Sequence, residues 1–226
     1  MMKQILIIGD MDKSDMMFYL CKLISLDHRV LLADVTRSHR YEHAYPKIEM
    51  ETVIRQHDQF DIAENVRDYT QLESIVSEDN YDFVLVDIDS EEAIRNWPEA
   101  DMYFLATTYD NGQLQTNLKL LEACFQAGTT SKLYPISRII CEVADTLSED
   151  YLDELYDKVP IQWKTSFVYY PEERDLTRRI NNQWSSKVIL KKLSGEYKKV
   201  LIGVTELILD MGTAGVAKLW KRAERR

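Results

Sequence analysis

The stretch Ile5-Leu-Ile-Ile-Gly-Asp-Met-Asp-Lys-Ser14 decides how the rest of the chain is interpreted. An apolar run ends at Gly9, Lys13 and Ser14 follow, and an amphipathic run begins there. This order predicts a strand, a phosphate-binding loop and a helix, because such loops place backbone N–H groups and a lysine around phosphate oxygens. Asp10 and Asp12, however, stand where an anion would lie, and a phosphate loop favours glycine there.

Length and composition predict one soluble α/β domain with a sizeable core. The 226 residues are 45% hydrophobic and 29% charged, with 7 glycines and 5 prolines, which is typical of a globular protein rather than a disordered one. The sequence has no run of about 18 apolar residues, so we predict no transmembrane helix. The chain enters a predicted strand without a signal-peptide pattern, which favours a cytoplasmic protein. Cys21, Cys124 and Cys141 lack metal-ligand spacing and are expected to be buried free thiols.

The charge of the chain is unevenly distributed. The net charge of −10 divides into −16 over residues 1–186 and +6 over residues 187–226. An acidic body makes nucleic acid an unexpected partner, since nucleic-acid binding depends on neutralising phosphates with lysine and arginine. Only the basic C-terminal segment is suited to an anionic partner.

Strand and helix patterns alternate along the whole chain. We predict strands at Lys3–Ile8, Val30–Val35, Phe60–Ile62, Tyr81–Asp87, Asp101–Thr107, Ile136–Val143 and Gln162–Tyr170. We predict helices at Lys13–Leu26, Lys47–Gln56, Leu72–Val76, Gln113–Ala127 with Gly128 as its stop, and Ser148–Tyr156, with two or three more after Pro171. The alternation predicts an α/β fold with a doubly wound, mostly parallel sheet flanked by helices.

The carboxyl ends of such strands meet at one edge of the sheet, where ligands bind in open α/β folds. The segments expected to gather at this edge are Gly9–Ser14, Asp34, Asp87–Ser90 and Thr107–Asp110. They place carboxylates, hydroxyls and one lysine together, which is the inventory of a phosphate and Mg²⁺ site.

The order of these motifs resembles the ParA/MinD family of P-loop ATPases. Ile8-Gly-Asp-Met-Asp-Lys-Ser14 lies where that family has its deviant Walker A sequence, Lys-Gly-Gly-x-Gly-Lys-Thr. His28–Asp34 is similar to the family's second strand, and Tyr81–Asp87 to its Walker B strand. Phe167–Pro171 resembles the late segment that contacts the adenine base. The resemblance implies a P-loop NTPase-like fold, a homodimer, and ATP and Mg²⁺ as cofactors.

The resemblance also assigns a nucleotide-binding role to a set of residues: Gly9, Asp10, Asp12, Lys13, Ser14, Asp34, Asp87, Asp89 and Pro171. Lys13 would contact the β- and γ-phosphates, and Ser14 and Asp87 would hold Mg²⁺. Two alternatives stay open. Asp10 or Asp12 could form a salt bridge with Lys13, and Asp89 or Ser90 could cap the following helix.

The departures from the family pattern argue against nucleotide hydrolysis. Ile8 replaces the signature lysine that reaches a partner's phosphates across the dimer. Asp10 and Asp12 would each cost about 1 kcal/mol or more beside a triphosphate, and an aspartate at a glycine position adds strain. Similar degenerate loops occur in TadZ/CpaE-like pilus localisation proteins.

We therefore hypothesise a pseudo-ATPase that positions or assembles a bacterial secretion, pilus or partition system through protein partners. Two alternatives accompany this hypothesis. One is an active ATPase with nucleotide-gated dimerisation and membrane association, and the other is a membrane-associated scaffold that binds no nucleotide.

The segment after residue 211 is a second candidate region, so we divide the chain into a domain at 1–211 and a tail at 212–226. An apolar stripe in the tail is formed by Val216, Leu219, Trp220 and Ala223, and cations surround it at Lys218, Lys221, Arg222, Arg225 and Arg226. A basic helix with one tryptophan is typical of an interfacial membrane helix. The tail thus predicts peripheral contact with the inner face of the membrane. The alternative is a terminal helix that docks on its own domain or on a protein partner.

The histidines do not form a clear metal site. His39 and His43 are four residues apart beside Glu42, a spacing that could place them on one helix face. The sequence offers no third ligand, and Tyr45-Pro46 interrupts the helix, so we expect a solvated surface. Gly-x-Ser-x-Gly and His-Glu-x-x-His signatures are also absent from the sequence.

Overall fold

The computed structural model describes residues 2–47, 53–77, 80–125, 132–141 and 147–225. Within them eight strands form one sheet: β1 Lys3–Ile8, β2 Val30–Val35, β3 Ile54–His57, β4 Phe60–Ala63, β5 Phe83–Ile88, β6 Met102–Thr107, β7 Tyr134–Cys141 and β8 Ile161–Tyr169. Eight α-helices accompany the sheet: α1 Ser14–Ile24, α2 Tyr69–Ser77, α3 Glu91–Arg95, α4 Asn111–Cys124, α5 Glu149–Leu155, α6 Glu173–Asn182, α7 Gly195–Leu209 and α8 Thr213–Ala223.

The sheet has the order β3-β4-β2-β5-β1-β6-β7-β8. All neighbouring strands are parallel except β3 and β4, which are antiparallel. This topology confirms the predicted doubly wound, mostly parallel sheet. Strand β1 lies between β5 and β6, so the loop that follows β1 emerges at the centre of the sheet's carboxyl edge.

Two apolar cores cover the two faces of the sheet. One face packs against α1, α7 and α8, and the other packs against α2 to α5. Strands β2 and β5 are buried along their whole length, which explains their continuous apolar runs. Helix α6 belongs to neither core, since its buried residues are the polar Asp175 and Asn182.

The predicted helix Lys47–Gln56 is wrong where the structure describes it. Ile54–Gln56 belong to β3, which forms a hairpin with β4. Asp58 in the turn has a positive φ of 54°, the conformation that tight hairpin turns require and that aspartate tolerates. A local apolar pattern does not report this turn, and residues 48–52 lie outside the described residues.

Strands β1 and β2 have their predicted bounds, and the other expected elements are present with shifted ends. Helix α4 begins at Asn111 and ends at Cys124, and its predicted stop at Gly128 lies outside the described residues. Strand β7 is described to Cys141, so its predicted end at Val143 also falls outside them. Three helices follow Pro171.

Candidate functional site

The loop between β1 and α1 lies at the carboxyl edge of the sheet, beside the ends of β5 and β6. Gly9 has a φ of +142°, and a Cβ atom there would lie 2.0 Å from the carbonyl oxygen of Ala106. Glycine is therefore required because the backbone of β6 approaches so closely. The remaining loop residues surround the first turn of α1.

Lys13 is turned into the protein. Its side chain is fully buried, and Nζ lies 2.6 Å from Oδ1 of Asp87. The same ammonium donates a hydrogen bond of 2.6 Å to the carbonyl oxygen of Gly9. Oδ2 of Asp87 accepts a hydrogen bond of 2.7 Å from the hydroxyl of Tyr41. The alternative in which Lys13 forms a salt bridge with Asp10 or Asp12 is therefore wrong, because the lysine pairs with Asp87.

Asp12 occupies the N-terminus of helix α1. Its Oδ1 accepts hydrogen bonds from the amide of Ser14 at 3.1 Å and from the hydroxyl of Ser14 at 2.8 Å. Its Oδ2 forms an ion pair with Arg179 of α6. Burial alone would raise the pKa of Asp12, but Arg179 and the Ser14 hydrogen bonds outweigh it and lower the pKa. The chain thus supplies its own anion where a helix N-terminus attracts one.

Asp89 and the carbonyl groups of the loop are held by Arg40. The guanidinium donates to Oδ2 of Asp89 at 2.7 Å and to the carbonyl oxygens of Asp10 and Met11. Oδ1 of Asp89 accepts the amide of Arg37 at 2.7 Å. Asp89 therefore forms an ion pair with an arginine and does not cap the helix.

The helix-capping alternative holds for Ser90. Its hydroxyl oxygen accepts the amide of Ala93 at 3.3 Å, and Ser90 has the extended backbone of an N-cap residue before α3. Of the two residues that follow β5, Asp89 therefore binds arginine and Ser90 caps α3.

Asp34 lies deep at the end of β2, directly beside Asp87 of β5. Its Oδ1 accepts hydrogen bonds from the amide and the hydroxyl of Thr36 at 3.0 and 2.6 Å. Its Oδ2 is buried and has no hydrogen-bond partner among the described residues. Burial raises the pKa of Asp34 to about 6, the neighbouring charge of Asp87 adds to the rise, and the Thr36 hydrogen bonds oppose it.

Pro171 and the loop line one small cavity. Its volume is about 160 Å³, and α6 closes one side with Asp175 and Arg179. Pockets that bury a ligand of nucleotide size measure about 300–1,000 Å³. The cavity is therefore too small for ATP in this arrangement.

The residues at the loop do not fit a bound Mg-nucleotide. Lys13 and Asp87 neutralise one another, and the hydroxyl of Ser14 donates to Asp12. In the described part of the chain no group of three or more His, Cys, Asp or Glu side chains is arranged to hold a metal ion. In this arrangement Ser14 and Asp87 are engaged by contacts within the chain, and their assignment to Mg²⁺ stays a prediction.

Five residues that shape the site were not predicted from the sequence. They are Arg37, Arg40, Tyr41, Asn117 and Arg179. Arg37, Arg40 and Tyr41 belong to a stretch whose apolar pattern is weak. Asn117 gave a usable signal, because it is a polar residue within the apolar face of α4. Its Oδ1 accepts the amide of Asp10 at 2.9 Å, and its Nδ2 donates to Thr107 at 3.0 Å.

The C-terminal residues that the sequence singled out for membrane or partner contact lie near the end of α1 that is opposite the loop. The apolar stripe of α8 is buried against α1 and α7, with Val216, Leu219 and Trp220 exposed by 0%, 4% and 1%. Arg222 forms an ion pair of 2.6 Å with Asp27. Lys218, Lys221 and Arg225 face the solvent, and Arg226 is outside the described residues. The docked terminal helix is thus the arrangement observed, and membrane insertion of the stripe would require α8 to leave the core.

Among the described residues, no single helix is long and apolar enough to cross a membrane. Helices α7 and α8 meet these requirements only as a pair, and they are bent by 116° at the break between them.

His39 has a left-handed backbone before a short 3-10 helix, Arg40–His43, so His39 and His43 do not share an α-helical face. All three cysteines are free thiols, with Cys21 and Cys141 buried and Cys124 partly buried.

No protein-family model matches the chain, and no curated protein matches it by sequence. Solved structures do match. A ParA family ATPase from Chlorobium tepidum TLS is 12% identical, with a TM-score of 0.63 and coverage of 90% of this chain and 97% of that one. A Cyanothece McdA–ATP complex is 13% identical, with a TM-score of 0.61 and coverage of 93% and 97%. A MinC:MinD cell division protein complex from Aquifex aeolicus is 14% identical, with a TM-score of 0.59 and coverage of 93% and 97%.

These likenesses extend over nearly the whole of each chain, although the sequences have diverged to 12–14% identity. At such identity the likeness concerns the fold, and activity has to be argued from the site. The chain has the fold of the ParA/MinD ATPases.

Proposed function

We propose that this chain is a positioning or assembly module that works without hydrolysing a nucleotide at its loop. The observation that carries the proposal is the buried pair of Lys13 and Asp87, with Nζ and Oδ1 2.6 Å apart. In the resemblance these two residues would serve phosphate and Mg²⁺. Here each is the other's counter-ion, and Tyr41 completes the coordination of Asp87.

Energetics favour the paired state. Drawing Lys13 toward a phosphate would leave Asp87 as a buried charge beside Asp34. Removing one partner of a buried ion pair typically costs about 3–5 kcal/mol. A nucleotide would have to supply this free energy while also displacing Asp12 from the N-terminus of α1.

The work of such a module is to hold other proteins in place, and we place it in the cytoplasm within a bacterial secretion, pilus or partition system. Support comes from the fold, which it shares with a protein solved as a MinC:MinD cell division complex. An acidic body of net charge −16 over residues 1–186 favours protein partners over nucleic acid. A homodimer belongs to the same proposal.

Calorimetry with ATP and ADP in the presence of Mg²⁺ tests the proposal, together with a phosphate-release assay. We expect no saturable binding heat and no phosphate release from the wild-type protein. Lys13→Ala and Ser14→Ala test the loop, and Lys132→Ala serves as the matched control because Lys132 pairs with Glu99 at the surface. Binding and hydrolysis that the loop variants abolish and the control keeps would establish the active ATPase instead.

Membrane contact through the C-terminal helix is a second candidate, because Lys218, Lys221 and Arg225 remain exposed although the apolar stripe is buried. Exposed cations near an anionic leaflet contribute about 1 kcal/mol each. Flotation with phosphatidylglycerol vesicles should therefore be weak, salt-sensitive and lost in Lys218→Glu/Lys221→Glu. Equal flotation of wild type and variant, or none at all, would remove this candidate.

A further inference from the structure

A second cavity lies at the carboxyl edge of the sheet, between the segments 35–39, 65–70 and 90–96 that follow β2, β4 and β5. We call it the edge cavity. Its volume is about 550 Å³, which is within the range of about 300–1,000 Å³ for small-molecule sites. It shares no lining residue with the smaller cavity beside Pro171, and the described residues that line it include none of the loop. The edge cavity is therefore a separate candidate site, in the place where open α/β sheets bind ligands.

The edge cavity combines an apolar floor with polar walls. Its buried lining residues are Val35, Val66 and Ala93. Asn65 follows β4 on one side and Asn96 follows α3 on the other, and both side chains are exposed. Each carboxamide carries a donor and an acceptor. The cavity thus suits a compact molecule that has both an apolar part and an amide-like polar part.

Charged side chains of both signs line the edge cavity in equal number. They are Arg37, Arg67, Asp68 and Glu92. Oδ1 of Asp68 accepts the amide of Gln71 at 2.9 Å, so this carboxylate caps α2. In the part of the chain that the structure describes, the guanidinium of Arg67 and the carboxylate of Glu92 have no ion-pair or hydrogen-bond partner. One cation and one anion are therefore available to a ligand.

The contacts of Arg37 leave its guanidinium available as well. It lies 3.3 Å from the carboxylate of Asp10 and 3.8 Å from that of Asp89, and the side chain is 57% exposed. Charge-assisted hydrogen bonds of full strength are shorter, at about 2.7–2.9 Å. Arg37 is thus only loosely held by the protein.

Strand order determines how these charges are distributed. Arg67 follows β4 and Glu92 follows β5, and β2 lies between the two strands. Neighbouring strands are about 4.8 Å apart, so the two walls are separated by about 10 Å. The loop that carries Arg37 is joined to the Arg67 wall, because the amide of Val66 donates to the carbonyl oxygen of Asp34 at 2.8 Å. The edge cavity therefore has a positive side with two arginines and a negative side at Glu92.

We propose that the edge cavity binds a small zwitterion, a dipeptide or a free amino acid, with its carboxylate at Arg37 and Arg67 and its ammonium at Glu92. A guanidinium binds a carboxylate through two parallel hydrogen bonds. An extended dipeptide spans about 7 Å, and the arginine and glutamate side chains bridge the remaining distance. Its peptide group pairs with Asn65 or Asn96. A ligand of one charge sign would leave Arg67 or Glu92 without a partner inside the cavity.

Calorimetry of the full chain with four matched probes tests this site. The probes are alanyl-alanine, alanine, N-acetyl-alanyl-alanine, which lacks the ammonium, and alanyl-alanine amide, which lacks the carboxylate. We expect saturable binding of alanyl-alanine or alanine with a dissociation constant of about 1 mM or lower. Each blocked peptide should bind about tenfold or more weakly than alanyl-alanine, because it leaves one charged side chain unpaired. The tighter of the two unblocked probes identifies the source of the zwitterion.

Variants locate the binding in the edge cavity. Arg67→Gln and Glu92→Gln should each raise the dissociation constant of the tighter zwitterion by about tenfold or more. Arg95→Gln is the matched control, because Arg95 lies on α3 beside the cavity, pairs with Glu91 and does not line the cavity. Ser14→Ala should also bind as wild type does, since Ser14 belongs to the loop. Circular dichroism checks that each variant is folded.

Three results would overturn the proposal. The first is the absence of saturable heat from both zwitterions up to about 10 mM. The second is equal binding of the blocked and unblocked peptides, and the third is binding that neither Arg67→Gln nor Glu92→Gln weakens. None of these results depends on whether the loop binds or hydrolyses ATP, so the function proposed above stands or fails separately.

Discussion

At the scale of single residues, the side chains of the phosphate-loop pattern are paired with other side chains of the same protein. Lys13 neutralises Asp87 inside the protein, and Tyr41 completes that contact. Asp34 is left beside this pair with a buried and unpartnered oxygen among the described residues. A buried carboxyl without a cation favours its protonated form, so the charge of Asp34 opposes folding at neutral pH.

We predict that Asp34→Asn stabilises the protein above pH 6 relative to wild type. The pKa of Asp34 is about 6 in the folded state against an ordinary value of 3.8, so the folded state binds the proton more tightly. Its favourable contribution is present at low pH and is lost as the pH rises from about 4 to 6. The gain for the variant should approach, and not exceed, about 3 kcal/mol. Urea unfolding of both proteins between pH 4 and 8 measures this difference, and a gap that does not depend on pH would contradict the prediction.

At the scale of elements, the loop, the first turn of α1 and helix α6 are joined by one carboxylate. Asp12 accepts two hydrogen bonds from Ser14 and pairs with Arg179. Asp10 has the same charge but different neighbours: its carboxylate lies 3.3 Å from the guanidinium of Arg37 and 3.8 Å from that of Arg40. Only Asp12 therefore stands at the N-terminus of a helix, where a phosphate would otherwise be stabilised.

We predict that Asp12→Ala gains affinity for inorganic phosphate or pyrophosphate, because it exposes the Ser14 amide and frees Arg179. Thermal unfolding should show the melting temperature of this variant rising by about 3–6 °C at tenfold excess over the dissociation constant. Asp10→Ala is the matched control and should respond as wild type does, without a shift. Equal responses of the two variants would show that lost negative charge alone, and not the place of Asp12, decides anion binding.

At the scale of the whole molecule, the C-terminal helix α8 is part of the apolar core that covers one face of the sheet. The stripe of α8 packs on α1 and α7, and Lys198 lies 4.8 Å from the centre of the Trp220 ring. Residues 212–225 thus share the core that covers one face of the sheet, and the bend between α7 and α8 falls at the predicted boundary.

We predict that Trp220→Ala lowers the free energy of unfolding by about 3–5 kcal/mol, because it leaves a cavity where a fully buried side chain stood. Lys221→Ala should change it by less than about 0.5 kcal/mol, since Lys221 is exposed on the same helix. Urea unfolding followed by circular dichroism measures both. A small effect of Trp220→Ala would indicate that α8 detaches readily, which would favour the membrane candidate.

Strong local patterns were enough to predict the central elements of the fold. Strands β1 and β2 have their predicted bounds, and the parallel topology follows from the alternation of strands and helices. Buried strands between helices need continuous apolar runs, so the pattern reports them directly. Strand β4 was predicted, but β3 and its hairpin with β4 were missed, because the hairpin depends on a turn at Asp58 and on pairing rather than on periodicity.

Only the tertiary structure shows which charged side chains form ion pairs with one another. The sequence places Lys13, Asp12 and the strand-end carboxylates at one edge of the sheet, but it does not say which carboxylate receives the lysine or that Arg179 reaches Asp12. Likewise the stripe of α8 is visible in the sequence, whereas its burial against α1 is not. Periodicity arises from the local geometry of the chain, while ion pairing depends on distances between residues remote in sequence, and these exist only once the chain is folded.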